Sequence, residues 1–245
     1  MSSIGRLALG SVLGGALLAL MACGSRASEA DAGPPQDLAS LRDFTAVTLA
    51  GPDKVIVRRG AGFSVQAQGD PRALARLEIG VRNGVLRIRR KNDWRDIMPG
   101  EDHGATINVT LPALRQVTLA GSGDMNVDLL GGDAVDASVT GSGDLTIERV
   151  DARRVDFAAV GSGTLTTLGG RAGQARYSVT GSGDLKTRGV ASSSGTVSIV
   201  GSGDVEAHIT GEADISILGS GDAAISGTTR CSISRVGSGE ARCAA

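Results

Sequence analysis

The chain has 245 residues, enough for one or two domains with a substantial core. Glycine supplies 37 residues and aromatics 2%, so a core must come from Val, Ile, Leu and Ala; scarce proline excludes collagen, and ordered hydrophobic alternation excludes a Gly/Ser linker. Lys+Arg number 25 against 26 Asp+Glu, a balance that leaves no electrostatic footprint for nucleic acid.

Residues 1–22 read as a signal peptide: Arg6, then an apolar run ending in Leu20-Met21-Ala22. The run is too short, and too promptly followed by polar residues, to be a stable membrane span. Leu20-Met21-Ala22-Cys23-Gly24 resembles the bacterial lipoprotein signal, in which Cys23 becomes the lipidated first residue. The alternative is a plain secretory peptide cut near Ser25-Arg26-Ala27, where the small-x-small rule is also met. Lipidation would give durable attachment, because stable anchoring takes two or more acyl chains at about 0.8 kcal/mol per buried CH₂. The expectation is an exported, lipid-anchored envelope protein, and Gly24 after the cysteine points by the same resemblance to the outer membrane. Residues 23–40, with Pro34-Pro35 in the middle, read as a polar tether.

Residues 41–110 are strand-rich but irregular. Val47-Thr48-Leu49-Ala50-Gly51 echoes Val117-Thr118-Leu119-Ala120-Gly121, which predicts a degenerate first coil. Asp70 followed by Pro71 predicts an N-cap and one short helical turn. Asn83-Gly84, between Leu77-Glu78-Ile79 and Val85-Leu86-Arg87-Ile88, is a hairpin signal. This segment is expected to cover the open end of the stack that follows, where a bare strand edge would invite aggregation.

Residues 111–245 are a repeat. Gly-Ser-Gly recurs from Gly121, Gly141, Gly161, Gly181, Gly201, Gly219 and Gly237, at spacings of 20, 20, 20, 20, 18 and 18. The flanks alternate with period two, as half-buried strands do. Before the turn the first apolar column reads Val117, Ala137, Phe157, Tyr177, Val197, Ile215 and Ile233. The second reads Leu119, Val139, Ala159, Val179, Ile199, Ile217 and Arg235. After the turn the columns start from Met125 and Val127, and the residues between columns are mostly polar. Burying the few aliphatic side chains of one repeat falls short of the entropy of ordering its backbone, so repeats must stack. With no room for a helix between them, the predicted fold is all-β: a parallel β-solenoid, or single-stranded β-helix, of 18–20-residue coils with a strand-rich N-terminal cap. Twenty residues are too few for a propeller blade. The glycines are read as meeting φ > 0 or close coil-to-coil approach at the corner, and the Ser and Asp as turn residues.

Leu111-Pro112-Ala113-Leu114 before Val117–Asp124, the later Gly-Ser-Gly-Asp copies and the Asn83-Gly84-Val85-Leu86 hairpin resemble a bacterial family. It is the domain-of-unknown-function group called putative auto-transporter adhesin, or head GIN domain, and the resemblance covers roughly residues 41–240. It implies export, often as a lipoprotein, a β-solenoid fold and a surface-binding role. Thr164 and Glu240 depart from the Asp-bearing pattern.

Asp124, Asp144, Asp184, Asp204 and Asp222 are expected to stack at one corner. A cation ladder is one reading; solvated turn acids are the preferred one, because Thr164 breaks the column. His103 and His208 are read as surface residues. Gly-Ser-Gly is neither a nucleophile elbow nor a phosphate loop. No catalytic residue, metal or cofactor is expected. Cys231 and Cys243 fall inward on the last coil, at the positions of Ile215 and Ala207 or their neighbours, either as a disulfide pinning the C-terminal end or as two buried thiols. The functional expectation is a binding or scaffolding module with an envelope polysaccharide or another surface protein as partner. The alternative is a carbohydrate-active enzyme on a β-helix, which needs carboxylates converging in one groove. Self-assembly through the solenoid ends is a third reading.

Overall fold

A computed structural model describes residues 37–91 and 104–245. Cys23, the signal sequence, most of the tether and His103 lie outside the described residues. The described chain is a parallel β-solenoid of about 6 turns.

The first coil is β1 (Ala46–Ala50) and β2 (Lys54–Arg59), joined at Gly51-Pro52-Asp53. β3 (Ser64–Gly69), α1 (Pro71–Arg76) and β4 (Leu77–Arg82) leave the winding, β5 (Val85–Arg90) and β6 (Ala105–Leu111) stack on β1 and β2 as a further coil on their outer side, and β7 (Gln116–Gly121) resumes the winding on the other. The coils then run through β8 (Asp124–Gly141), β9 (Asp144–Gly161), β10 (Thr164–Thr167), β11 (Gly170–Gly181) and β12 (Asp184–Gly201). The winding ends with β13 (Val205–Ile209), β14 (Ala213–Gly219), β15 (Ala223–Ser226), β16 (Cys231–Gly237) and β17 (Ala241–Ala244).

Like positions lie beside like positions throughout. Leu49 pairs with Leu119, Leu119 with Val139, Val139 with Ala159, and the ladder continues through Val179, Ile199 and Ile217 to Arg235. Both apolar columns before the turn are buried as far as Ile215 and Ile217. A side chain that alternates in and out along the strand has to fall on its counterpart when coils of one length stack in register. The degenerate coil is therefore a true coil, in register with β7.

The N-terminal cap switches strand direction. β5 lies parallel to β1 and carries β4 antiparallel on its other side, while β6 lies parallel to β2 and carries β3 antiparallel. Asn83 (φ 53°) and Gly84 (φ 74°) form the tight turn of the β4–β5 hairpin. Asp70 accepts bonds from the amides of Arg72 (2.7 Å) and Ala73 (3.4 Å), and Pro71 opens α1. Asp53 is buried at the first corner and clamps this region. Its carboxylate accepts from Arg90 Nε (2.8 Å), Arg90 Nη2 (2.6 Å) and the Ala105 amide (2.9 Å), so it ties the end of β5 to the start of β6.

The coil narrows from 20 to 18 residues between β12 and β13, where the register slips between Thr187 and Ala191. Backbone carbonyls there are taken by side-chain hydroxyls: Thr187 donates to Glu206 (2.7 Å) and Ser192 to His208 (3.1 Å). Ser192 also meets the Tyr177 hydroxyl at 3.3 Å, and Tyr177 stacks on Phe157 with centroids 5.7 Å apart. Burial of Tyr177 pushes its phenol above the ordinary value of 10.0, so this hydroxyl stays protonated inside the core.

Candidate functional site: a flat ladder face

The Gly-Ser-Gly corners are structural. The first glycine of each copy has φ between 110° and 136°, where a side chain is strained. A β-carbon on the second would fall 2.0–2.5 Å from a carbonyl oxygen of the previous coil. At Ser142 and Gly143 both amides donate to the Gly121 carbonyl, at 2.9 and 3.1 Å, and later corners repeat the pattern.

The acidic column also has a backbone task. The amides of Asp144, Thr164 and Asp184 donate to the second-glycine carbonyl one coil earlier. In the narrower coils they donate instead to a carboxylate: Asp204 to Asp184 (3.2 Å), Asp222 to Asp204 (2.8 Å) and Glu240 to Asp222 (2.8 Å). The carboxylates of Asp184, Asp204 and Asp222 thus each accept the amide one coil on, and among the described residues no group of three or more His, Cys, Asp or Glu could hold a metal.

His208 Nδ1 lies 3.0 Å from the Ser226 hydroxyl on the next coil. Cys231 and Cys243 are bridged, with Cα atoms 6.7 Å apart. They stand beside Ala213 and Ile225 of the previous coil, so the bridge crosses the solenoid interior at its last turn.

The feature with binding geometry is the sheet built from β1, β7 and the strand segments that precede each later corner. Its middle outward row reads Thr48, Thr118, Ser138, Ala158, Ser178, Ser198, Ser216 and Ser234. One rung is cross-linked, Ser138 Oγ donating to Thr118 Oγ1 at 3.2 Å. The row nearer the corner becomes apolar toward the C-terminal end: Thr140, Val160, Thr180, Val200, Leu218 and Val236. The row on the other side is charged and includes Asp136, Asp156, Arg176 and Asp214. Beside it runs an open groove of about 300 Å³, lined by Arg154, Asp156, Gln174, Arg176, Glu212 and Asp214 and floored by Ala175 and Gly195. Arg176 approaches Asp156 at 3.5 Å. Asp136, half-buried, is held above the ordinary 3.8 by burial first and the Asp156 charge second.

Sequence alignment of the repeats contains these rows, but they escape notice because each outward residue looks like ordinary strand filler within its own repeat. Asp53 also escaped, since it replaces a motif glycine and its partners lie 37 and 52 residues away. The slip that employs Thr187 and Ser192 is signalled only by the change from 20 to 18 residues.

The family model for "putative auto-transporter adhesin, head GIN domain" matches residues 43–229. No curated protein matches the chain in sequence. Among solved structures, a protein described as a putative adhesin from Bacteroides fragilis NCTC 9343 superposes with TM-score 0.76 at 20% identity, covering 83% of this chain and 93% of its own. A putative adhesin from Parabacteroides distasonis ATCC 8503 gives 0.60 at 20% identity, over 84% and 94%. A protein from the same organism described as a putative lipid binding protein gives 0.62 at 18% identity, again over 84% and 94%. At these identities the structures bear on the fold.

Proposed function

We propose that this chain, which belongs to the putative auto-transporter adhesin, head GIN domain family, is a non-enzymatic binding module of the cell envelope. It is held to the membrane through lipid on Cys23 and the polar tether that follows, and it presents the flat ladder face to envelope polysaccharide or another surface protein. The observation that carries this reading is the unbroken register from β1 to β16, which sets out small hydroxyls on neighbouring strands in one continuous face. Such a face is pre-organised, so little side-chain ordering is lost when a partner lies on it. Catalysis of glycoside cleavage needs two carboxylates facing each other across a bond. Asp136 and Asp156 instead stand side by side on neighbouring strands, and the groove acids Asp156, Glu212 and Asp214 share their open trough with Arg154 and Arg176.

The test is a binding panel of envelope polysaccharides, peptidoglycan and whole cells, with product analysis on the same samples. Saturable binding without cleavage is expected, weakened by aspartate in place of Ser178 or Ser198. Cleaved product would overturn the reading in favour of a carbohydrate-active enzyme on a β-helix. For attachment, Cys23→Ser is expected to move the protein from the membrane to the soluble fraction and abolish labelling by a radioactive fatty acid; a protein that stays membrane-bound and labelled sinks the anchor.

A further inference from the structure

Val160, Val200, Leu218 and Val236 are 46%, 44%, 54% and 67% exposed, and they share one row of the ladder face. The core does not use them, because they point out of strands whose inward residues are buried as far as Ile215 and Ile217, while Val236 lies on β16, which is exposed along its length after Cys231. An apolar line on an otherwise polar face marks a contact surface. We infer that the ladder face binds a second copy of this chain, the two solenoids packing face to face and antiparallel about a two-fold axis that runs along the strands at Val200. The inference rests on reading this face as the binding surface, and it names the partner.

Symmetry and charge select the arrangement. A two-fold axis along the strands lays each outward row on its own counterpart, apolar on apolar. An axis along the stack over the middle row would lay the apolar row against the charged one, and one over the apolar row would carry the middle and charged rows past the partner's corners, off the face. With the axis at Val200, Val160 opposes the partner's Val236 and Thr180 the partner's Leu218. Arg176 then opposes the partner's Asp214, and the pair occurs twice by symmetry. Moving the axis one coil toward the N-terminus sets Arg176 against the partner's Arg176. Moving it one coil the other way sets Asp214 against the partner's Asp214. Half a coil toward the N-terminus sets Asp156 against the partner's Asp214. Like-charge contacts of this kind reject those registers. Half a coil toward the C-terminus gives up both Arg176–Asp214 pairs for Arg176 against the partner's Ser232. One and a half coils toward the N-terminus pairs Arg176 with the partner's Asp156 but sets Val160 and Val200 against the partner's Thr180 and Thr140, so only the axis at Val200 joins opposite charges and apolar residues together.

The small side chains of the middle row let the two sheets approach to packing distance. Five coils at about 4.8 Å, by three outward positions at about 6.6 Å, cover roughly 400 Å² on each copy. About 800 Å² in total lies at the low end for transient contacts, so one pair is weak and an array of copies on a surface is strong. The antiparallel arrangement sets the two N-terminal caps at opposite ends of the pair. That geometry joins two facing surfaces that carry the same protein.

The test uses the full chain in neutral detergent with Cys23→Ser, so that an engineered cysteine is the reactive thiol. Val200→Cys, on the axis, is expected to give covalent dimer with a short bismaleimide linker, while Glu148→Cys, away from this face, stays monomeric. Adding Leu218→Asp to Val200→Cys should lower the dimer yield about tenfold or more, because a carboxylate would be buried in the apolar row. Arg176→Asp should lower it too, and Asp214→Arg on top should restore it, which damage to folding would not do. Monomeric Val200→Cys, equal cross-linking at Glu148→Cys, or failed charge-swap rescue would each overturn the inference. The same variants on the polysaccharide panel separate the two readings. If Val200→Cys stays monomeric while Leu218→Asp loses polysaccharide binding, self-pairing falls and the binding face stands; if Leu218→Asp leaves that binding intact as well, both fall.

Discussion

Gly143 has no room for a side chain: a β-carbon there would sit 2.2 Å from the Gly123 carbonyl oxygen and 3.0 Å from Leu119 Cδ2. Backbone cannot retreat without opening two coils, so Gly143→Ala is expected to cost about 2–4 kcal/mol, read as a lower urea midpoint. Gly80→Ala, where a β-carbon meets nothing within 4 Å, should stay within about 0.5 kcal/mol of the parent. Asp136 supplies a pH test. Its pKa is raised on folding, so the folded state holds the proton longer than the unfolded chain does. Its contribution is therefore present below the ordinary value of 3.8 and is lost as pH rises through the raised folded value. Asp136→Asn should remove that part of the stability profile and leave the protein slightly more stable at neutral pH. The side chain is half-exposed, so solvent screening limits the gain to a few tenths of a kcal/mol.

At the level of elements, the two ends of the solenoid differ: the N-terminal end is covered, while at the C-terminal end β16 is exposed after Cys231 and the inward Ile233 is 46% exposed. The N-terminal end has antiparallel strands, α1 and the Phe44–Phe63 contact, whose ring centroids lie 5.0 Å apart. Asp53 joins its pieces, and Asp53→Ala removes the acceptor for both the Arg90 guanidinium and the Ala105 amide. A loss of about 3–5 kcal/mol is expected in chemical denaturation, as when one partner of a buried ion pair is deleted. At the other end the final strands β16 and β17 are held by the Cys231–Cys243 bridge, 12 residues apart in sequence. A closed loop of that size contributes about 2–3 kcal/mol. Replacing both cysteines by serine should raise amide exchange in β16 and β17 and leave β8 to β12 protected. Uniform loss of protection along the whole stack would instead show that the bridge supports the solenoid globally.

For the molecule as a whole, stability is close to a sum over coils and their interfaces. Deleting Asp144–Gly163 removes one 20-residue period and brings Gly143 directly onto Thr164, with every column still in line. The shortened protein should fold cooperatively with a smaller denaturant slope, in proportion to the surface it no longer buries. Deleting only Asp144–Arg153 would set a corner against a strand, and loss of the folded far-ultraviolet spectrum is expected. If both deletions unfold alike, the independence of the coils is wrong.

The sequence by itself determined the period, the inward columns, the glycine corners, the Asn83-Gly84 hairpin and the Asp70 cap. Each is a local demand: alternation with period two, a backbone angle that glycine tolerates, a side chain reaching its own helix amide. The degenerate first coil was legible too, because Val47–Gly51 keeps the pattern even though Pro52-Asp53 breaks the motif. Only the tertiary structure decided what the outward residues do. Whether Val160, Val200 and Leu218 are scattered apolar residues or one exposed row depends on coils lying in register, and the slip at Thr187 shows that register can change mid-stack. Asp53 teaches the same lesson. It reads as a turn residue until stacking brings β5 and β6 to it, because burial and partnership are properties of neighbours distant in the chain.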